Sequence, residues 1–346
     1  MPGYRSWPFV TGWLETRSGP IPVVSTSLAW GDVLGRWMMR WGLGRSRYRV
    51  APGLYAAGNP ADTSPVLVSA NYKLSFDALR RELSGLDAWI LVLDTRGINV
   101  WCAAGKGTFG TDEIVRQVRN VEMDSLVAHR VLVVPQLGAP GVAAGEVAKK
   151  CGFTVAYGPV RAQDIRPFLA AGMRASGQMR RVSFTTAERL VLCPVELAGM
   201  LKPSLWVALT LLVLGGVSGE GYSLEAAADR GGSALLVYLA GLLAGTVVTP
   251  LLLPWVPGRA FAVKGALTGS LLATLFLALR WSELGGATAL AVGLALPAVS
   301  SCVAMNFTGC TPFTSPSGVE KEMRRALPLQ FLATLAAGIA WIAGGL

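Results

Sequence analysis

The chain has 346 residues, of which 52% are hydrophobic and 15% charged, against about 25% charged in ordinary soluble domains. That balance excludes a wholly soluble globule and indicates a membrane-embedded part. Of the 31 Lys and Arg, 24 fall in residues 1–202, together with 15 of the 21 Asp and Glu, so the +10 formal charge sits mostly on the first part. The chain reads as two objects joined near Lys202.

A basic chain can bind nucleic acid, but there is no zinc-finger spacing, RNA-binding signature or basic helix, and no nucleic-acid partner is expected. A basic domain beside a membrane reads more simply as the cytoplasmic, positive-inside side. The five cysteines (Cys102, Cys151, Cys193, Cys302 and Cys310) are odd in number and form no C-x-x-C. That spacing argues against a disulfide framework, a structural zinc site or an iron–sulfur cluster of the chain's own. The first residues hold no apolar core of signal-peptide length, so the first domain is expected not to be exported.

In chain order, residues 1–60 are basic and rich in tryptophan, with Trp7, Trp13, Trp30, Trp37 and Trp41 ahead of Arg45, Arg47 and Arg49. They could lie at the membrane interface or pack on the next domain. Packing is the expectation, because no continuous amphipathic helix of adequate length is evident. Residues 61–180 alternate strand and helix signals: strands at Val66–Tyr72, Trp89–Leu93, Val131–Val134 and Thr154–Tyr157, and helices at Phe76–Leu83, Asp112–Arg119, Val142–Lys150 and Asp164–Met173. That order predicts a Rossmann-like, doubly wound α/β sheet, with ligands outside the carboxyl ends of the strands. Residues 181–203 form a connector expected near the headgroups.

Residues 204–346 hold five apolar stretches near the roughly 20 residues a span needs: Leu205–Gly219, Ala234–Val256, Ala266–Leu279, Ala287–Phe307 and Ala326–Leu346. An all-α transmembrane domain of five helices follows. With the first domain inside, Arg259, Lys264, Lys321, Arg324 and Arg325 fall on inner loops and Arg230 and Arg280 on outer ones, as the positive-inside rule requires; the outer loops also carry Glu220 and Glu283. No span carries a mid-membrane acidic residue or charged relay, so the bland reading is an anchor in the lipid bilayer. The pairs Gly241/Gly245 and Gly265/Gly269 have small-x-x-x-small spacing that suits close helix packing. The polar segment 306–318, at the inner end of the fourth stretch, is either a lining facing the soluble domain, with Cys310 available to soft metals, or a plain loop.

The stretch Asn99-Val-Trp-Cys-Ala-Ala-Gly-Lys-Gly-Thr-Phe-Gly-Thr111 follows a strand and invites comparison with phosphate loops. A Walker A loop needs Gly five residues before its Gly-Lys and Ser or Thr directly after the Lys. Val100 and Gly107 occupy those places, which disfavours nucleotide binding. Gly138-x-x-Gly141 likewise fails the dinucleotide fingerprint. There remains Cys102, at the ligand-binding end of a sheet with Lys106 four residues on. A thiolate is both nucleophile and soft metal ligand, and the competing reading is a buried structural cysteine.

Asn99-Val-Trp-Cys-Ala-Ala-Gly-Lys106 resembles the cap-helix signature of the corrinoid protein family of microbial mercury methylation (HgcA-type). Ala70-Asn-Tyr-Lys-Leu-Ser-Phe-Asp77, Val134-Pro-Gln-Leu-Gly-Ala-Pro-Gly141, Tyr157-Gly-Pro-Val-Arg161 and the segment 306–322 are also similar to that family. The soluble domain is similar, too, to the corrinoid iron–sulfur protein of acetyl-CoA synthesis. The resemblance implies a base-off, cobalamin-type corrinoid held over the sheet, with Cys102 as the lower axial ligand to cobalt. It implies cofactor contacts from Asn71, from Asn99, Val100, Trp101, Cys102, Ala103, Ala104, Gly105, Lys106 and Thr108, from Leu137, Gly138, Ala139, Pro140 and Gly141, and from Tyr157, Gly158 and Pro159. The glycines at 138, 141 and 158 would let backbone approach the macrocycle.

The activity so implied is a corrinoid-dependent methyltransferase that passes a methyl group to Hg(II). Its partners would be a methyltetrahydrofolate-linked donor and a ferredoxin-like protein with a 4Fe–4S cluster as electron donor, and Cys310 would be a transit point for Hg(II). Two other readings compete. One is a membrane-anchored corrinoid methyl carrier of one-carbon and acetyl-CoA metabolism, and the other is a membrane transporter with a regulatory α/β domain.

Overall fold

The computed structural model describes residues 7–219, 221–280, 282, 284–310 and 316–344. The chain divides into two compact units, Met1–Met39 with Leu43–Val182, and Arg40–Gly42 with Ser183–Leu346. The first is a mixed α/β domain and the second a bundle of long apolar helices.

The α/β unit runs β1 (Val10–Leu14), β2 (Ile21–Val24), α1 (Trp30–Arg40), β3 (Gly53–Ala57), β4 (Val66–Ala70), α2 (Lys73–Arg81), β5 (Ala88–Leu93), α3 (Val100–Gly105), α4 (Thr111–Asn120), α5 (Met123–Leu126), β6 (Val131–Val134), α6 (Ala144–Cys151), β7 (Thr154–Tyr157) and α7 (Ile165–Ala170). Its seven strands form one sheet in the order β1-β2-β3-β5-β4-β6-β7. Strands β5, β4, β6 and β7 are mutually parallel, whereas β3 joins β5 antiparallel. The carboxyl ends of the four parallel strands therefore open on one edge.

Parallel strands are covered on both faces and need apolar residues throughout. Val66, Val68, Ala70, Trp89, Leu91 and Leu93 enter one core layer, and Leu67, Ile90 and Val92 enter the other. This is the period-two alternation of a strand with two dry faces.

Residues 1–60, which the sequence sets apart as an extension, contribute β1, β2 and β3 to this sheet. The strand Gly53–Ala57 is Gly-Leu-Tyr-Ala-Ala, weak in strand propensity, and is stabilised by five paired positions along β5. A buried charge network ties the same region down. The Lys73 ammonium meets Asp32 at 2.5 Å and Asp77 at 2.6 Å, and Arg80 meets both carboxylates at 2.7 Å. Lys73 also lies over the rings of Trp7, Phe9 and Tyr48. Burial alone would raise the Asp32 carboxyl, but the Lys73 and Arg80 cations together hold it below the ordinary carboxylate value.

Among the described residues, five helices are long and apolar enough to cross a membrane: Thr186–Gly215, Leu224–Leu252, Phe261–Arg280, Gly286–Asn306 and Ser317–Ala343. They make the chain a multi-pass membrane protein, and the charge bias of the loops assigns the soluble unit to the cytoplasmic side. The first span begins well before the apolar stretch that announces it, because the connector is itself helical. Thr185 and Glu188 form a capping box, and a helix then runs from Cys193 through Pro203 to Gly215.

Gly241 and Gly245 in the second span, and Gly265 and Gly269 in the third, all abut the fourth. A Cβ on Gly265 would lie 2.6 Å from the Ser300 carbonyl, and one on Gly269 would lie 2.6 Å from that of Leu296. Lys264, expected on an inner loop, lies within the third helix and is buried. It donates to the carbonyls of Leu253 and Val256 just beyond the second span. Glu322 accepts the Ala262 N–H at 2.5 Å, one residue into the third span. These charges serve helix ends, where backbone groups lack intrahelical partners. Glu220, Glu283, residues 311–315 and the Cys310 side chain lie outside the described residues.

Candidate functional site

The site is built at the carboxyl ends of the parallel strands, starting with the residue after β4. Asn71 is buried, and its carboxamide oxygen accepts from the Thr95 N–H (3.1 Å), the Thr95 hydroxyl (2.9 Å) and the Gly97 N–H (2.9 Å). Its amide donates to the Asp94 carboxylate at 3.1 Å. All four contacts fall on the loop after β5, which turns through left-handed backbone at Arg96 (φ 58°) and Gly97 (φ 75°). Asn71 therefore holds the loop that delivers the next helix, using both its carboxamide oxygen and its amide nitrogen.

That loop ends at Asn99, the N-cap of α3. Its side-chain oxygen accepts the Cys102 N–H at 2.9 Å, which satisfies one of the orphan donors of the first turn. Helix α3 has two distinct sides. Ala103 and Ala104 are buried in the core, whereas Trp101, Cys102, Gly105 and Lys106 are exposed. Cys102 and Lys106 stand four residues apart and share that outer side. The structural-cysteine reading would bury the thiol, and the fold does not bury it.

The inner side of α3 rests on the tight turn Gln136–Gly141 that follows β6. A Cβ on Gly141 would meet the Phe109 carbonyl at 2.2 Å and the Ala104 Cα at 3.1 Å, and one on Gly138 would meet the Phe109 ring at 2.4 Å. A Cβ on Gly158 would meet Val133 at 2.9 Å. The close approach that these glycines permit is thus to the domain's own Phe109, Ala104 and Val133, and at Gly138 and Gly141 it seats α3.

Beside α3 is a cleft of about 340 Å³ between β4, α2, β6 and the loop after β7. Of the residues read from sequence, Asn99, Val100, Trp101, Leu137, Gly158 and Pro159 line it. Ser69, Ser75, Pro135, Val160, Arg161 and Ala162 line it as well; Ser75, Pro135, Val160 and Arg161 fall within the stretches that carry the resemblance but are not among the contacts it implies. Other expected contacts are engaged elsewhere. Tyr157 donates its hydroxyl to the Val142 carbonyl at 2.6 Å, the Thr108 N–H closes α3 by donating to the Ala103 carbonyl at 3.0 Å, and Ala139 and Pro140 belong to the turn itself.

The sole histidine, His129, stands at the other end of the sheet. One ring nitrogen lies 2.8 Å from the Ser64 carbonyl, before β4, and the other accepts from the Val131 N–H at the start of β6.

Residues 41–169, which contain this site, match the family described as CO dehydrogenase/acetyl-CoA synthase delta subunit. The chain is 32% identical over 127 residues to acetyl-CoA decarbonylase/synthase complex subunit gamma of Methanopyrus kandleri, covering 36% of this chain and 27% of that protein. The subunit of the same name from Archaeoglobus fulgidus is 29% identical over the same length. That of Methanothermobacter thermautotrophicus is 27% identical over 165 residues, or 46% of this chain and 35% of the relative. The chain thus spans about a quarter to a third of the length of the curated relatives it matches.

These similarities correct the function expected from the cap-helix signature. The relatives are subunits of the acetyl-CoA decarbonylase/synthase complex, so membership of the mercury-methylation family, the methyltransferase activity toward Hg(II) and the role of Cys310 in mercury transit do not stand. The same finding gives no support to the ferredoxin-like electron donor or to the methyltetrahydrofolate-linked donor as partners. The expectation rests on short stretches around Cys102 and in neighbouring loops, whereas the similarity runs continuously over residues 41–169, most of the α/β unit.

Proposed function

We propose that the chain is a membrane-anchored corrinoid carrier that handles methyl groups in acetyl-CoA or one-carbon metabolism. The observation that carries this reading is the similarity over residues 41–169, the segment that contains the cap helix, its seat and the strand-end cleft.

The residues present suit a corrinoid. An exposed thiol, soft and able to ligate a transition metal, stands at Cys102 on a helix seated on Gly138 and Gly141. The only imidazole has both ring nitrogens engaged at the far end of the sheet, which fits a base-off cofactor held without histidine. Bound here, a corrinoid supplies a cobalt centre able to take up and pass on a methyl group.

The chain's own residues do the rest. Cys102 would offer its sulfur to the cobalt. Asn99 fixes the first turn that carries the sulfur, and Asn71 fixes the loop behind it. Trp101, Val100 and Leu137 give an apolar wall that excludes water, and Leu67, Val68 and Val133 continue that wall on the sheet.

The test is anaerobic reconstitution of the full chain in detergent with cobalamin, wild type beside Cys102→Ala, followed by absorption and EPR spectroscopy. One corrinoid per chain, with a cobalt spectrum free of nitrogen splitting and altered by the substitution, is the expected result. A folded wild-type protein that retains no corrinoid would overturn the carrier reading, and a spectrum indifferent to Cys102 would overturn the ligand assignment alone.

A further inference from the structure

Helix α1 shows the wrong face to water. At 100° per residue, Trp30, Leu34, Trp37 and Met38 lie along one side, and Trp41 continues it just past the helix end. All five are exposed, with Trp30 at 79%, Leu34 at 51% and Trp37 at 60% of their free surface. The opposite side is the one packed on the domain. Asp32 is buried in the Lys73/Arg80 network and accepts the Ala29 N–H at 3.0 Å, Met39 is buried, and a Cβ on Gly35 would strike the Tyr48 hydroxyl at 2.4 Å. A surface helix of a soluble domain turns its apolar stripe inward. Here α1 is fixed by the buried Asp32, by Met39 and by the close approach at Gly35, and these contacts hold its larger apolar stripe outward.

We infer that this face of α1 seats in the headgroup region of the cytoplasmic leaflet. Three of its five large side chains are tryptophans, whose rings favour the boundary between headgroups and acyl chains. Arg40 lies beside the stripe, and Arg45, Arg47 and Arg49 follow it exposed to solvent. That charge complements an anionic leaflet, and a protein surface would have to match the same arginines with acids. The bilayer is present by construction, because the chain carries five spans of its own. The inference concerns only the outward side of α1, whose other side packs on the domain as the sequence leads one to expect. Gly31 and Gly35 interrupt the pattern, and eleven residues are too few for periodicity to speak clearly.

The membrane-bound helix is tested in the full chain, reconstituted in nanodiscs of phosphatidylethanolamine and phosphatidylglycerol. Photoreactive p-benzoylphenylalanine is placed at position 34 or at position 37, both exposed enough to tolerate it. Illumination should yield α1 peptides carrying a phospholipid mass at both positions. Introducing Trp37→Glu into the chain labelled at position 34 should lower that yield several-fold with no change in melting temperature. Adducts only to other segments of protein, or no adducts at all, would overturn the inference.

Discussion

The side-chain oxygen of Asn71 lies 2.9 Å from the Gly97 nitrogen, although 26 residues separate the two. Asn71 follows β4 and Gly97 follows β5, so the bond joins neighbouring parallel strands at their carboxyl ends and fixes where the cap helix begins. Replacing Asn71 with Leu leaves the Gly97 N–H and the Asp94 carboxylate without it. Both residues are half-buried, so each lost bond costs about 1 kcal/mol. The expected outcome is a lower urea midpoint for the soluble unit and weaker corrinoid retention in equilibrium dialysis. Unchanged retention in a destabilised Asn71→Leu protein would confine Asn71 to a folding role.

Asn99 permits a finer test because Ser can replace its cap. Asn99→Ala should cost about 1 kcal/mol of stability, whereas Asn99→Ser should recover most of it. If the cap also aims the Cys102 sulfur, the Ala variant will broaden or shift the corrinoid spectrum and the Ser variant will restore it. A spectrum that follows neither substitution would show that α3 is held by its Ala103/Ala104 side alone.

The network of Asp32, Lys73, Asp77 and Arg80 makes the soluble unit acid-sensitive in a defined direction. The Asp32 carboxyl is held below its ordinary value, so the folded state binds fewer protons than the unfolded chain across that interval. Its contribution is fully present above the unfolded carboxylate value, about pH 4, and is lost as pH falls through the folded value. Stability measured by chemical unfolding should drop below about pH 4 in the wild type and drop less steeply in Asp32→Asn. Lys73→Met, which leaves two buried carboxylates short of a partner, should cost about 3–5 kcal/mol at neutral pH.

Much of this architecture is legible in sequence, for reasons that differ by element. Val131–Val134 and Thr154–Tyr157 occur where their β-branched runs place them, and the five spans follow from apolar length, a signal that needs no partner to read. The strand Gly53–Ala57 was hidden because its stability comes from the β5 neighbour rather than from its own residues. The cap helix was visible as a motif around Cys102, but its seat was not: that Gly138 and Gly141 face Phe109 and Ala104 depends on a tertiary contact. Lys264 was misplaced by reading charge as loop, when a buried ammonium can serve the carbonyls at a helix end. The functional setting is the least legible: short stretches around Cys102 and elsewhere point to one family, and the continuous similarity over residues 41–169 points to another.

The glycines of the third span give the last prediction. Gly265 faces the Ser300 carbonyl and the Ala304 methyl, where a Cβ would stand at 2.6 and 2.7 Å, and Gly269 faces Leu296 and Pro297 at 2.6 and 2.7 Å. Carbonyls of a neighbouring helix cannot yield as a flexible side chain can, so any added carbon must push the two helices apart. Between membrane helices, association depends on van der Waals packing and interhelical hydrogen bonds rather than on the hydrophobic effect. Gly265→Ala and Gly269→Ala should therefore each cost about 1–3 kcal/mol, the range for overpacking. Separation would also stretch the Thr249–Thr268–Ser300 hydroxyl chain, now spaced at 2.6 and 3.3 Å. Gly338 in the fifth span has nothing within 4 Å of a built Cβ, so Gly338→Ala should be neutral or slightly stabilising. Thermal aggregation of the full chain in detergent, followed by size-exclusion chromatography, separates the cases: equal midpoints for Gly265→Ala and Gly338→Ala would mean that the third and fourth spans do not meet through their glycines.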